Sequence, residues 1–244
     1  GVLFVVEELL QDVSGITLGT AILASFIGSV VARISGSHNL DFDLHLSVSN
    51  TSFPAVEIPF YLLLGIMSGI FGVLFNRSIL KSLSFYRQFS QISLAWRVGF
   101  AGLITGIALA ALPDLFRDNA GLRDLLLTGD ANWQLVALVF CVQFFLIVVT
   151  YGSGAPGGLL IPSMVLGAAL GYLVGVGEYH ILGLSAATTY ARVGMAAFFC
   201  GVARTPITAV ILVFEMTTDF NLVLPLMIVS AVSYLIAEVI EEGS

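Results

Sequence analysis

Residues 152–162 read Gly152-Ser153-Gly154-Ala155-Pro156-Gly157-Gly158-Leu159-Leu160-Ile161-Pro162. They separate two apolar runs, 134–150 and 163–176, each hydrophobic enough to be a membrane helix. Four glycines and two prolines between such runs predict a break in the helix. Broken backbone cannot face lipid, where its N–H and C=O groups find no partner; it is tolerated where protein or a watery cavity surrounds it. Transporters build ion sites this way, from discontinuous helices. Gly157 and Gly158 have no side chains to screen their N–H groups, and Pro162 suits the first turn of a helix. A helix starting near Leu159 would turn free N–H groups and its positive dipole end into the break, which makes an anion site. On spacing alone, a kinked membrane helix with a Gly/Pro hinge fits equally well.

The rest of the chain fixes the setting. Of its 244 residues 58% are hydrophobic and 10% charged, against roughly 25% charged in soluble domains. The apolar runs are long and do not alternate, so the chain reads as an all-α integral membrane protein crossing the bilayer several times. A net charge of −7 with thinly scattered basic residues excludes nucleic-acid binding. Cys141 and Cys200 lie in apolar runs without ligand spacing and read as packing residues.

In chain order, 1–6 is the end of an apolar helix stopped by Glu7 and Glu8, and 16–34 is long enough to span. Residues 35–56 form a polar loop, and 58–75 spans again. Residues 76–97 carry Arg77, Lys81, Arg87 and Arg97 without an acid and read as a loop. A short apolar run, 98–112, and an Asp-rich loop, 113–133, lead to the central stretch. After 163–176 a linker to about residue 189 precedes an apolar run, 193–202. Thr205 is a candidate N-cap with Pro206 in the first turn of a helix that stops near Glu215; the last helix is 221–240. Runs such as 98–112 and 206–214 are shorter than the ~20 residues of a full crossing and predict short or tilted helices. Glycines four apart, at Gly65/Gly69, Gly102/Gly106 and Gly167/Gly171/Gly175, predict close helix packing.

There is also an internal repeat. Gly1-Val2-Leu3-Phe4-Val5-Val6-Glu7 matches Ala209-Val210-Ile211-Leu212-Val213-Phe214-Glu215, and each is followed by a long apolar helix. Repeats of this kind are a transporter signature. The central stretch, with Gly158-Leu159-Leu160-Ile161-Pro162, and the stretch from Arg204-Thr205-Pro206 to Glu215-Met216-Thr217 resemble the CLC family of chloride channels and proton-coupled chloride transporters. The family has Phe where this chain has Leu160, a change that leaves backbone N–H groups in place.

The resemblance implies an inverted-repeat bundle: 1–34 as the end of the first repeat, 35–57 as an external loop, and 58–240 as the second repeat. It implies that Gly158, Leu159, Leu160, Ile161 and Pro162 form an anion site for chloride, with no other cofactor and no metal. It assigns proton transfer to Glu8, the second glutamate of its pair, with Glu7 the weaker match. It further implies a homodimer through 1–6, 16–34, 206–214 and 221–240, and a secondary transporter of the prokaryotic type that exchanges chloride, or a similar small anion, for protons. A passive chloride channel is the alternative. The family's first-half anion motif, its external gating glutamate and its terminal tyrosine helix have no counterpart here, so a first half is expected to precede Gly1.

Two further constellations carry less. His38, Asp41, Asp43 and His45 have metal-ligand chemistry, but polar loops collect such residues. Ser153 with the distant His180 allows an intramembrane serine protease, which would need a base within hydrogen-bond reach of the serine. Glu7 and Glu8 end an apolar segment, where a charge costs about 2.5–3.5 kcal/mol at the bilayer centre and otherwise sits at an interface or on a pathway.

The positive-inside rule places the 76–97 segment in the cytoplasm, and two spans back from it Glu7 and Glu8 on the same side. Loops 35–56 and 113–133 then face outward. Single cysteines at Asn50 and Ser82 are expected to react with a membrane-impermeant maleimide from opposite faces. Modification of both from one face overturns the topology.

Overall fold

In lipid each segment has to satisfy its own backbone hydrogen bonds, and long helices do so. The computed structural model describes residues 24, 27, 55–88, 94–111, 132–155, 157–183 and 185–242. Among these every regular element is helical. A 3-10 turn, Ala55–Glu57, leads into α1, Ile58–Gln88. Then come α2, Leu94–Ala111, and α3, Trp133–Gly152. Helices α4, Leu160–Ile181, and α5, Ala187–Ala203, form a tight hairpin whose turn uses Gly183 at φ +65°. The short α6, Pro206–Thr217, is followed by a 3-10 turn, Phe220–Leu222, and α7, Val223–Glu242. The segments 1–6 and 16–34, Glu7 and Glu8, and the loops 35–54 and 112–131 lie outside the described residues, apart from Ala24 and Ile27, which are helical and exposed.

Among the described residues four helices are long and apolar enough to cross a membrane: Ile58–Tyr86, Trp133–Gly152, Leu160–Ile181 and Phe220–Glu241. The chain is a multi-pass membrane protein. At ~1.5 Å per residue the 12-residue α6 is about 18 Å long and cannot cross a hydrocarbon core of about 30 Å, as its apolar run predicted.

The structure corrects the reading of 76–97 as a loop. Residues 76–88 continue α1, and only 89–93 separate it from α2. Its polar residues complete neighbouring helices. Asn76 Nδ2 donates to the Val202 carbonyl at 2.8 Å, and an Arg77 guanidinium nitrogen to the Ile240 carbonyl at 3.1 Å. These are carbonyls of the last turns of α5 and α7, which lack intrahelical donors, and a cation there also complements the helix dipole. Ser82 is helical too and packs on Gly152, so exposed Lys81 is the better labelling position. Helices α4 and α5 extend beyond the predicted runs 163–176 and 193–202, because polar ends such as His180 and Thr188 prolong them past their apolar centres.

The core gathers around α4 and α5. A methyl group added at Gly171 would collide with the Tyr190 carbonyl, and one at Gly167 with the Gly194 carbonyl. At Gly175 it would lie 2.8 Å from the Ala187 Cα. The two helices therefore run antiparallel, backbone against backbone. Helix α1 runs parallel to α5 and α7: Gly72 faces Gly201, Gly65 faces Val232, and Gly69 faces Ser233 and Ile236. An aromatic set joins α3 to this centre, with ring centroids 5.3 Å apart for Phe71–Phe140 and for Phe75–Phe144 and 6.0 Å for Phe75–Phe198. Gly102 and Gly106 depart from expectation: no described atom lies within 4 Å of a methyl at either.

Gly171→Ala is expected to lower Tm in detergent, at a cost of about 1–3 kcal/mol, the usual range for overpacking. Gly177→Ala, on the same helix but open to its surroundings, is expected to be neutral or to stabilise by about 0.5–1 kcal/mol. Equal Tm for the two variants overturns the backbone-contact account of the hairpin.

Candidate functional site

The break predicted from the glycines and prolines is present. Helix α3 is capped by Asn132, whose side chain accepts from the Gln134 N–H at 3.2 Å, and ends at Gly152. Its last carbonyls are closed by a tight turn: Ser153 N–H bonds the Val149 carbonyl at 3.2 Å, and Gly154 N–H the Tyr151 carbonyl at 3.0 Å. Gly154 then takes φ +89°, a conformation that favours glycine, and the chain leaves the helix axis.

Helix α4 restarts at Leu160, within a residue of the predicted start. Leu159 occupies its N-cap without any side-chain cap, and the first i→i−4 bond runs from Ser163 N–H to the Leu159 carbonyl at 3.0 Å. The N–H groups of Leu160 and Ile161 thus have no acceptor within their helix, and Pro162 has none to offer. Gly157 and Gly158, just ahead, are exposed. No described atom lies within 4 Å of a methyl built at Gly158, while at Gly157 the Tyr151 hydroxyl would be 2.9 Å away. The helix end therefore has open space beside Gly158 among the described residues, with Tyr151 beside Gly157. Leu159, Leu160 and Pro162 are half-buried and Ile161 is exposed. All five predicted anion-site residues sit together at this N-terminus.

Such an end can hold a small anion by N–H donation and the helix dipole. Beyond the turn, α4 is enclosed from Ser163 to Tyr172, so few polar groups compete for the charge. Glu7 and Glu8 lie outside the described residues.

Ser153 has a different part. Its hydroxyl donates to the Thr150 carbonyl at 2.6 Å and it is 1% exposed. His180, with Nδ1 against the Val176 carbonyl, is exposed in the last turn of α4, eighteen residues beyond Pro162 and thus about 27 Å along the axis. Among the described residues no histidine is within reach of Ser153 as a base, and no three His, Cys, Asp or Glu groups gather as metal ligands. His38, Asp41, Asp43 and His45 lie outside the described residues.

The second matching segment also departs in detail from its reading. Arg204 closes α5 in the left-handed conformation, φ 58°, and its guanidinium pairs with Glu241 of α7. Thr205 holds the N-cap place of α6 and Pro206 its first turn, but the Thr205 hydroxyl makes no cap bond and is buried without a partner. Thr205 lies at φ −117°, ψ 79°, an irregular geometry that leaves the hydroxyl without a first-turn N–H. One cluster was not anticipated: Glu57, Tyr61, Glu178, Ser185 and Tyr190, buried or half-buried at the far end of α1. Its signal was available, since Glu57 and Glu178 are acids at the margins of apolar segments.

Several apolar helices around an interrupted one, whose second part starts with free N–H groups, are the architecture of a multi-pass membrane protein. Residues 1–238 match the family model described as voltage gated chloride channel, and the chain belongs to that family, the CLC proteins. The H(+)/Cl(-) exchange transporter ClcA of Vibrio parahaemolyticus serotype O3:K6 (strain RIMD 2210633) is 29% identical over 249 residues, covering 98% of this chain and 52% of its own. That of Yersinia pestis bv. Antiqua (strain Angola) is 30% identical over 247 residues, covering 98% and 51%. The chain spans about half the length of the curated relatives it matches. Among solved structures, a slow cyanobacterial Cl-/H+ antiporter aligns with TM-score 0.82 at 23% identity, covering 98% of this chain and 56% of that one. A eukaryotic CLC transporter aligns with TM-score 0.76 at 23% identity, covering 98% and 40%. At this identity the two structures speak to the fold, which is theirs.

Proposed function

We propose that this chain carries one anion site and the cytoplasmic proton acceptor of a secondary transporter that exchanges chloride, or a similar small anion, for protons. The observation that supports it most is the interruption between Gly152 and Leu160, which leaves the first N–H groups of an enclosed helix without acceptors in that helix. The anion is held by backbone N–H groups of Leu159 and Leu160, with Gly158, Ile161 and Pro162 shaping the turn. A backbone site binds charge without titrating, so the proton needs its own carrier, and Glu8 fills that role at the cytoplasmic end of its helix. The exchange named for the curated relatives favours this reading over a passive channel.

The same reading places 1–34 in a first inverted repeat, 35–57 outside and 58–240 in a second repeat. Helix α6 starts where α5 ends and α7 runs back parallel to α1, so Glu215 falls toward the end away from Arg77 and Lys81, as inversion of the Glu7 segment requires. It also places a subunit contact on 1–6, 16–34, 206–214 and 221–240. In support, α6 and α7 expose Ile207, Met227, Leu235 and Val239, and an apolar cavity of about 270 Å³ opens between them, lined by Pro206, Val210 and Ala231 among others.

Crystals grown with bromide in place of chloride are expected to show anomalous density within hydrogen-bond reach of the Leu159 and Leu160 nitrogens. A peak elsewhere, with none here, overturns the site. In liposomes, Glu8→Gln is expected to abolish proton uptake driven by a chloride gradient while chloride still passes, since glutamine keeps size but cannot titrate. Glu7→Gln is expected to change coupling less. Unaltered coupling in Glu8→Gln would return the passive channel to first place.

A further inference from the structure

The C-terminal end of α1 and the start of α2 form an elbow that the anion site does not use. The segment 76–97 carries Arg77, Lys81, Arg87 and Arg97 and no acid. Arg77 is engaged with the Ile240 carbonyl. Lys81 is exposed, and among the described residues no hydrogen bond or ion pair holds it. Arg97, in the first turn of α2, donates from Nη1 to the Tyr86 carbonyl at 3.3 Å. That carbonyl belongs to the last turn of α1, so the bond ties the two helices together. The Arg97 Nε is screened and has no partner among the described residues, and no acid of theirs pairs with its guanidinium. The Nη2 end of Arg97 and the Lys81 ammonium are thus two cations without a counter-charge.

Large apolar groups stand beside them. Trp96 is 76% exposed and Phe85 57%. Phe85 follows Lys81 by four residues and shares its face of α1. The depth of the elbow follows from its neighbours. Ser82 packs on Gly152, where α3 ends, and the hydroxyl oxygens of Thr105 and Thr150 lie 3.3 Å apart at the same end of α3. Arg97 precedes Thr105 by eight residues, about 12 Å along α2. Helices α1 and α2 therefore run on past the end of α3. Aromatic side chains collect at the boundary between hydrocarbon and water, and Lys and Arg on its cytoplasmic side; the elbow has both.

The occupant that suits bare cations and bare rings at that level is a phospholipid of net negative charge. Its phosphate meets the cations, and its acyl chains cover Phe85 and Trp96. A soluble phosphate would leave the rings in water, and a zwitterionic headgroup brings a cation of its own. We infer that the α1–α2 elbow binds anionic phospholipid, with Arg97 donating to the headgroup phosphate and Lys81 adding charge. Tyr86 holds the planar guanidinium in place, which suits it to phosphate oxygens. The binding is independent of the anion-site reading and is measured without transport.

The chain has two tryptophans, so Trp133→Phe leaves Trp96 as a reporter inside the proposed site. This variant is reconstituted in phosphatidylcholine vesicles that contain a fraction of either phosphatidylglycerol or phosphatidylcholine with brominated acyl chains, which quench a tryptophan they touch. Brominated phosphatidylglycerol is expected to compete for the position beside Trp96 about fivefold or more better than its phosphatidylcholine counterpart, the usual worth of a basic residue at an anionic surface. Lys81→Gln, at an exposed position without bonds, is expected to reduce that preference, and Lys81→Gln with Arg97→Gln to abolish it. Arg97→Lys keeps the charge and is expected to retain a preference, which separates loss of charge from a disturbed elbow. Arg123→Gln removes one positive charge elsewhere in the chain and is expected to change nothing. Millimolar inorganic phosphate is expected to leave the quenching intact; relief by phosphate assigns the site to a soluble anion and overturns the lipid. Equal quenching by the two brominated lipids before any charge is removed, or a preference that survives the double substitution, overturns the site.

Discussion

The constraint behind this architecture is that no backbone N–H or C=O can be left unpaired in lipid. A chain that breaks a membrane helix between Gly152 and Leu160 has to surround the break with protein. Past the break, α4 is enclosed by its neighbours from Ser163 to Tyr172. Two thirds of the spanning window of α4 is buried, 67%, against 39% for α3 and 33% for the last crossing. Burial of that order requires neighbours at backbone distance, and Gly167, Gly171 and Gly175 provide it against α5. Helix α3 completes the shelter, with Gly152 under Ser82 and Tyr151 beside Gly157. The glycines of the break and those of the helix face thus serve one end: the first set exposes N–H groups, and the second encloses the helix that carries them.

Much of this was legible in the sequence, and for physical reasons. Membrane helices announce themselves by length and apolarity, and a Gly/Pro break inside them has few uses, so the position of the α4 start was readable to within a residue. The small-residue spacing gave the α4–α5 seam. At Gly102 and Gly106 the same spacing meets no partner among the described residues, because spacing records that a face is smooth but not what lies against it. Helix ends were read short wherever polar residues continued a helix out of the apolar zone, as in 76–88. That extension depends on tertiary partners, the carbonyls of Val202 and Ile240, which the local sequence does not reveal. The Glu57 cluster was hidden for the same reason. Glu57 and Ser185 are separated by 128 positions, and each alone looks like an interfacial polar residue.

Small hydroxyl residues within the seams illustrate a second balance. Ser233 Oγ donates to the Ala197 carbonyl at 2.7 Å, and Cys200 Sγ to the Ser230 carbonyl at 3.2 Å, so these groups spend their polarity on a helix already bonded to itself. The hydroxyls of Ser68, Thr205 and Ser230 are buried without partners among the described residues. An unsatisfied buried hydroxyl costs about 1–3 kcal/mol, which argues that these positions are held by volume. Ser68 follows Gly65 and precedes Gly69 and Gly72 on the side of α1 that α5 and α7 approach, where a larger side chain has no room.

Helix α1 ties these features together. Its 31 residues, about 46 Å at ~1.5 Å each, exceed the membrane core, and both ends are held by side-chain bonds to other helices. Glu57 fastens the beginning to the α4–α5 connection, while Asn76 and Arg77 fasten the later turns to the ends of α5 and α7. Between these anchors Gly65, Gly69 and Gly72 let α7 and α5 settle against its backbone. Sliding α1 along either neighbour by a fraction of a turn would break bonds at both ends and drive side chains into the glycine positions. Helices α1, α5 and α7 therefore move as one body. Outside this body lie the short α6, α2, whose described residues are largely exposed, and the α4–α5 connection, joined to Glu57 through Ser185.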